Sequence, residues 1–172
     1  MEKKNGGKIQ LSPPQLLVVV FLFSIVIGTF FLKLPFSTKE PISWIDALFT
    51  ATSAMTVTGL VTVDPGTVFT PFGQLVIAFL IQIGGLGIMS FAVLIIMVLG
   101  KKIGIKERIL IQHQLNQTSI GGVIRLVKYL FIFSFLIEFV AMLILSIKWV
   151  PQFGWEKGLF YSFFHAISAY NN

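Results

Sequence analysis

Three long stretches of the sequence are almost entirely apolar, and each has the length of a membrane-spanning helix. The first ends at Lys33, the second lies between Pro71 and Gly100, and the third ends near Lys148. A helix that crosses a bilayer needs about 20 mainly apolar residues. The pattern therefore predicts spanning helices over 14–33, 71–99 and 122–148.

The segment between the first two apolar stretches is too long and too apolar for a simple loop. Ser43-Trp44-Ile45-Asp46 has the spacing of a capping box, which predicts a helix over 43–55. Such a helix is about 18 Å long, roughly half a bilayer, so we expect a re-entrant helix. Residues 56–60 follow it and are predicted to be extended. A hairpin lying on the membrane surface is the alternative.

A re-entrant helix followed by such a segment favours cations. The C-terminal end of the helix carries about half a negative charge. The backbone carbonyls of Thr56, Val57 and Thr58 could replace the water shell of an ion. Gly59 would allow close approach of the backbone. These four residues are the predicted ion ligands of a selectivity filter.

An internal repeat supports this interpretation. At an offset of 115 positions, Phe49-Thr50-Ala51-Thr52-Ser53-Ala54 aligns with Phe164-His165-Ala166-Ile167-Ser168-Ala169, and four of six residues are identical. The same offset aligns Lys33 with Lys148. We therefore expect a second re-entrant helix over 157–169, with a second filter beginning at 170–172.

Composition and charge support a membrane protein and argue against other classes. The 172 residues are 55% hydrophobic and only 12% charged, whereas soluble domains have about 25% charged residues. The net charge of +6 comes mainly from basic residues near the N-terminus and in the 101–128 region, which predicts that both are cytoplasmic and does not indicate a nucleic-acid partner. There is no Cys and no cluster of titratable residues, so neither a metal centre nor an enzyme is expected.

Two further features lie within the apolar stretches. Gly84, Gly85 and Gly87 are predicted to serve close helix packing or a bend. Glu138 is an ionisable residue in the middle of the third stretch. It is either functional or paired with a partner on another helix.

Several motifs together resemble one transporter family. They are the re-entrant helix, Thr56-Val57-Thr58-Gly59, Gln82-Ile83-Gly84-Gly85-Leu86-Gly87 and Ser168-Ala169-Tyr170-Asn171-Asn172. The combination is similar to the Trk/Ktr/HKT superfamily of potassium transporters, and most similar to its Ktr branch. The likeness covers the whole chain.

The resemblance implies an all-α integral membrane protein built from repeated units that resemble potassium channels. Each unit has an outer helix, a re-entrant pore helix, a filter strand and an inner helix, and four units surround one pore. Thr56, Val57, Thr58 and Gly59 then match the first filter, and Asn171 and Asn172 match the start of the second. The chain would hold about one and a half units, as part of a longer protein. The first unit is predicted over 1–100, with outer helix 14–33, pore helix 43–55, filter 56–60 and inner helix 71–99. A cytoplasmic connection follows over 101–120. The incomplete second unit is predicted over 121–172, with outer helix 122–148, pore helix 157–169 and filter start 170–172.

The resemblance also implies a function and partners. The chain would be the ion-translocating subunit of a potassium uptake system in a bacterial cell membrane, with potassium as the transported ion, sodium left open, and no organic cofactor. Family members form homodimers, and Ktr subunits sit on a cytosolic ring of nucleotide-binding, KtrA-like regulatory subunits. The alternative is a self-assembling subunit like that of a potassium channel, which the internal repeat disfavours because a tetramer needs only one unit per chain.

Overall fold

The computed structural model describes residues 13–87 and 120–171, and these residues are largely helical. Among them no β-strand occurs, and one isolated antiparallel bridge joins Thr38 to Phe69. The prediction of an all-α protein is confirmed for this part of the chain. The far part of the predicted 71–99 helix, most of the 101–120 connection and Asn172 lie outside the described residues. The helices are α1 (Pro13–Lys33), α2 (Trp44–Met55), α3 (Pro65–Val68), α4 (Pro71–Leu86), α5 (Ile120–Phe153) and α6 (Trp155–Asn171).

Local side-chain chemistry decides where α2 begins. The Ser43 hydroxyl accepts a hydrogen bond from the backbone N–H of Asp46 at 3.0 Å and donates one to the Asp46 carboxylate at 2.6 Å. This satisfies one of the free N–H groups at the start of the helix. The predicted capping box is therefore present, and the first helical residue is Trp44.

The start of α4 is tied to the loop that follows α1. Thr70 caps the helix, and Pro71 occupies the first turn, where its missing N–H costs nothing. The Thr70 hydroxyl also donates to the carbonyl of Phe36 at 2.7 Å, and the Thr70 N–H donates to the carbonyl of Ser37 at 3.0 Å. These bonds hold the loop after the C-terminal end of α1 against the first turn of α4.

Helix α5 is longer than the sequence predicts, and α6 begins earlier and ends later. The predicted end of α5 at residue 148 is corrected to Phe153, and α6 covers 155–171 in place of 157–169. Pro151 lacks one N–H, but it lies in the last turn, and the N–H of Gly154 still bonds to the carbonyl of Val150 at 2.9 Å. Gly154 has φ 83° and makes the single-residue turn into α6. Helices α5 and α6 pack against each other as a hairpin.

A small buried core lies where α2 meets α1 and α4. The inward face of α2 is built from small side chains, so the helices approach closely. Helix α4 also packs against α6. The core residues are Ile25, Leu32, Ala47, Ala51, Ala54, Met55, Phe69, Ile77 and Leu80.

The outward faces of α1 and α5 are apolar and exposed. Phe23 on α1 is 64% exposed and Ile144 on α5 is 63% exposed. Within the described residues, one helical stretch, Val127–Phe153, is long and apolar enough to cross a membrane, and Val18–Lys33 and Pro71–Leu86 are shorter apolar helices. A helix that is apolar on all sides fits either lipid or the interior of a larger protein.

Candidate ion-conduction site

The predicted filter segment, residues 56–60, leaves α2 through a defined C-terminal cap. The N–H of Val57 donates to the carbonyl of Ala54 at 3.3 Å, and the N–H of Thr58 donates to the carbonyl of Ser53 at 3.0 Å. The backbone of Val57 is left-handed, with φ 56°. This is the hydrogen-bond pattern of a Schellman motif, in which a left-handed residue closes the helix. The expectation of an extended segment is thus corrected, because the last carbonyls of α2 draw the chain into a turn.

Valine is an unusual residue in this conformation. A β-branched side chain at positive φ is a genuine outlier, and holding one costs on the order of 1–3 kcal/mol. Gly59, two positions later, has φ 71°, where glycine pays no steric penalty. The filter segment therefore has left-handed backbone at two positions, Val57 and Gly59, which Thr58 separates. Such strain persists only where the surrounding structure holds the backbone in place.

Ser53 supplies much of that support. It is buried, and its hydroxyl donates to the carbonyl of Leu60 at 2.6 Å. The Thr58 hydroxyl donates to the same Ser53 oxygen at 3.1 Å. One side chain on α2 thus holds both the middle and the end of the filter segment. The residue was not among those singled out from the sequence, although its identity with Ser168 in the repeat is a signal that could have found it.

Four of the five backbone carbonyls of the filter segment have no protein donor among the described residues, and the fifth, that of Leu60, accepts from Ser53. Within the described residues, none of the backbone carbonyls of Thr56, Val57, Thr58 and Gly59 accepts a hydrogen bond. Thr56, Thr58 and Gly59 are exposed. The free carbonyls lie directly after the negative end of the α2 dipole. This set of oxygens can coordinate a dehydrated cation.

Two neighbouring glycines on α4 contact the ends of the two shorter helices. A Cβ added to Gly84 would overlap the carbonyl oxygen of Met55 and lie 2.9 Å from the Met55 carbonyl carbon. A Cβ added to Gly85 would overlap the Asn171 side chain, with its Cβ at 2.6 Å. The C-terminal end of α2 thus packs directly against Gly84, and the C-terminal end of α6 packs directly against Gly85. Gly87 differs, because no described atom lies within 4 Å of its Cβ position and its φ is 79°.

Asn171 is the last residue of α6, and its side chain points to α4 and α5. Its amide nitrogen lies 2.9 Å from Gln82 Oε1 and 3.3 Å from Glu138 Oε1. The Gln82 amide donates to the same Glu138 oxygen at 2.7 Å. Glu138 and Gln82 are both 6% exposed. The sequence left open whether Glu138 is functional or is paired with a residue on another helix. The structure shows that it is paired, with Gln82 on α4 and Asn171 on α6.

Two aspartates, one in the first turn of α2 and one at the N-cap of α3, are held ionised. The hydroxyl of Ser43, and then that of Thr62, hold the pKa of Asp46 below its ordinary value. The Thr67 hydroxyl and the Gly66 N–H lower the pKa of Asp64 in the same way, and Lys39 adds a smaller effect. Both carboxylates are therefore negatively charged at neutral pH.

A small cavity lies behind the filter segment. Its volume is about 160 Å³, and its lining includes Thr50 and Ser53 from α2 and Ser168 from α6. Thr50 is 4% exposed, and its hydroxyl is the buried side-chain group in the described residues that has no hydrogen-bond partner. The cavity lies between the filter segment and α6.

Comparison with known proteins supports the resemblance found in the sequence. The model of the TrkH family, described as cation transport proteins, matches residues 9–172. Ktr system potassium uptake protein B of Bacillus subtilis is 65% identical over 164 residues, which cover 95% of this chain and 37% of that protein. The potassium/sodium uptake protein NtpJ of Enterococcus hirae is 41% identical, over 98% of this chain and 38% of that protein. Ktr system potassium uptake protein B of Vibrio alginolyticus is 37% identical, over 99% of this chain and 36% of that protein.

The chain thus spans well under half the length of these relatives. The family model nevertheless covers nearly all of it, including α1, the filter segment, α4 and α6. The family consists of cation transporters and not of enzymes, which agrees with the expectation from the sequence. The chain belongs to the TrkH family of cation transport proteins, within the Trk/Ktr superfamily.

Proposed function

We propose that this chain is part of the ion-translocating membrane subunit of a Ktr-type potassium uptake system. The observation that carries the proposal is the turn after α2, in which the free carbonyls of residues 56–59 follow the negative end of a short helix. The names of the relatives, which are potassium or potassium/sodium uptake proteins, support the same conclusion. Potassium is the proposed cargo, with sodium as its competitor.

The proposed architecture is one complete pore unit followed by part of a second. In the first unit, α1 is the outer helix, α2 the pore helix, residues 56–60 the filter and α4 the beginning of the inner helix. In the second unit, α5 is the outer helix and α6 the pore helix. Asn171 and Asn172 would then begin the second filter. The remaining filters of the pore come from the part of the protein beyond this chain.

Selection follows from how rigidly the carbonyls are held. An ion that enters the filter loses water and gains carbonyl oxygens. Thr56, Val57, Thr58 and Gly59 present their oxygens to the ion, while Ser53 and the Schellman cap hold the backbone behind them. Because the filter segment ends at Leu60, it offers fewer carbonyl layers than a potassium channel does. We expect weaker discrimination between cations as a result.

The remaining parts of the proposal concern the assembly. The basic N-terminus and the 101–120 connection would lie in the cytoplasm, by the positive-inside rule. The full-length subunit would form a homodimer in the bacterial cell membrane. A nucleotide-binding, KtrA-like regulatory ring would contact its cytoplasmic side.

Gly59 offers a direct test in the full-length protein. We expect Gly59→Ala to lower the ratio of rubidium to sodium uptake in proteoliposomes, because a side chain in the left-handed region costs about 1–2 kcal/mol and moves the filter carbonyls. Gly154→Ala is the matched control, since Gly154 has φ 83° but lies in the turn between α5 and α6. It should carry a similar strain and leave the uptake ratio unchanged. The proposal is wrong if the wild-type protein takes up no potassium or rubidium, or if sodium competes equally.

A further inference from the structure

We infer that Glu138 is a positioning residue for the second filter: through Gln82 and Asn171 it fixes the point at which the chain leaves α6. This inference rests on the proposed function, because the second filter is part of the architecture proposed there. Glu138 does not contact the first filter segment, and its role would be to position Asn171. It concerns three side chains from three helices that meet in one buried cluster. We call Gln82, Glu138 and Asn171 the amide–carboxyl cluster.

The first step of the argument is the connectivity of the cluster. Glu138 Oε1 accepts from the Gln82 amide at 2.7 Å and from the Asn171 amide at 3.3 Å. Gln82 Oε1 accepts from the Asn171 amide at 2.9 Å. Each member therefore contacts both of the others. A closed set of this kind has one arrangement, which specifies how α4, α5 and α6 pack.

The second step is the cost of the cluster. A buried carboxyl group in an apolar helix bundle is expensive, and removing its partners makes it more so. Glu138 lines an apolar cavity of about 780 Å³ among α1, α4, α5 and α6, and few polar groups other than Gln82 border that cavity. A merely structural contact between α4 and α5 could be made by leucine at lower cost. The cluster therefore fits a role in setting the position of Asn171.

The third step is the place of Asn171. It is the last helical residue described, at the position where the sequence repeat aligns it with Thr56 at the start of the first filter. Gly85 lets the Asn171 side chain lie directly against α4. One turn earlier along α5, Ser134 lies 3.0 Å from the hydroxyl of Tyr170, which makes a second polar contact to the same turn of α6. In the first unit, Ser53 and the Schellman cap position the filter. In the second unit the amide–carboxyl cluster takes that role at the point where the filter begins.

The experiment compares three variants of the full-length protein in proteoliposomes. Glu138→Gln keeps an oxygen that accepts from both amides, so we expect rubidium-to-sodium uptake within about twofold of wild type. Glu138→Leu removes both acceptor bonds, and we expect that ratio to fall about tenfold, the order expected when a buried donor loses its hydrogen-bond partner. Gln82→Met, which is close in size, should lower the ratio in the same direction by less. The double variant Gln82→Met with Glu138→Leu should be no worse than Glu138→Leu alone, because the members act as a unit.

Controls separate positioning from folding and from charge. Glu156 is exposed in the first turn of α6, so Glu156→Leu removes a carboxylate without touching the cluster and should leave the ratio unchanged. If Glu138→Leu does not yield a monodisperse protein, Gln82→Met carries the test. A wild-type uptake ratio in Glu138→Leu, or in Gln82→Met where that variant carries the test, overturns the inference. A Glu138→Gln ratio as low as that of Glu138→Leu overturns it as well. Failure of the proposed function is distinct, because the wild-type protein itself would then show no potassium or rubidium uptake.

Discussion

The contact between Gly84 and the end of α2 gives a sharp prediction for Gly84→Ala. The added Cβ would lie 2.9 Å from the carbonyl carbon of Met55 and 3.0 Å from Cγ2 of Val57, besides overlapping the Met55 oxygen. Ordinary carbon–carbon contact is about 3.5–4.0 Å. Helices α2 and α4 must therefore separate by at least about 0.6 Å at this point.

The obstacle is backbone, so rotation of a side chain cannot relieve it. Overpacking of this kind costs about 1–3 kcal/mol, which more than cancels the roughly 1 kcal/mol that alanine gains over glycine in a helix. The displaced atoms belong to Met55, which directly precedes the proposed ligands, and to Val57, which is one of them. We therefore expect Gly84→Ala to lower both the thermal stability and the rubidium-to-sodium uptake ratio of the full-length protein.

Gly28→Ala is the matched control for this prediction. Its Cβ would lie 2.7 Å from Cδ1 of Leu80, at the end of a flexible side chain that can move aside. We expect it to leave the uptake ratio unchanged and to alter thermal stability less than Gly84→Ala does. The reasoning fails if Gly84→Ala retains the wild-type stability and ratio, or if the two alanine variants are indistinguishable in both measurements.

Three further predictions concern Ser53 and Thr50 beside the filter segment and Asp64 at the start of α3. Ser53→Ala removes the donor to Leu60 and should cost about 1–2 kcal/mol and lower the cation ratio, whereas Ser146→Ala, which loses only a bond within α5, should leave the ratio unchanged; equal ratios in the two variants would contradict this. Thr50→Val removes a buried hydroxyl without a partner, so thermal stability should stay within about 0.5 kcal/mol of wild type or rise, and a clear loss would show that the hydroxyl is needed. Asp64 has a lowered pKa in the folded protein, so its stabilisation is present above the ordinary value of 3.8 and is lost as the pH falls through the folded pKa. The difference in melting temperature between wild type and Asp64→Asn should therefore shrink as the pH is lowered from 5 to below 3.8, and a constant difference would argue against this.

Features that depend on neighbouring residues in the chain were predictable from the sequence alone. The apolar stretches indicated the helices, because apolar length is itself the requirement for crossing a bilayer. Ser43 and Asp46 indicated the start of α2, since a capping box involves residues only three positions apart. The repeat at an offset of 115 and the Thr56–Gly59 motif led to the family that the comparisons confirm.

Only the tertiary structure decided how these parts contact one another. Gln82 meets Glu138 and Asn171 across 56 and 89 positions of the chain, and no local pattern encodes such pairs. The turn at Val57 was missed because valine and threonine favour extended backbone, while the unpaired carbonyls at the end of α2 favour closure by a Schellman cap. Likewise, the sequence determined that Gly84 and Gly85 lie on an apolar helix, but their roles follow from packing. Helix α4 lies between α2 and α6, so that Gly84 contacts the end of α2 and Gly85 contacts the end of α6. A side chain at either position would push the adjacent helix away.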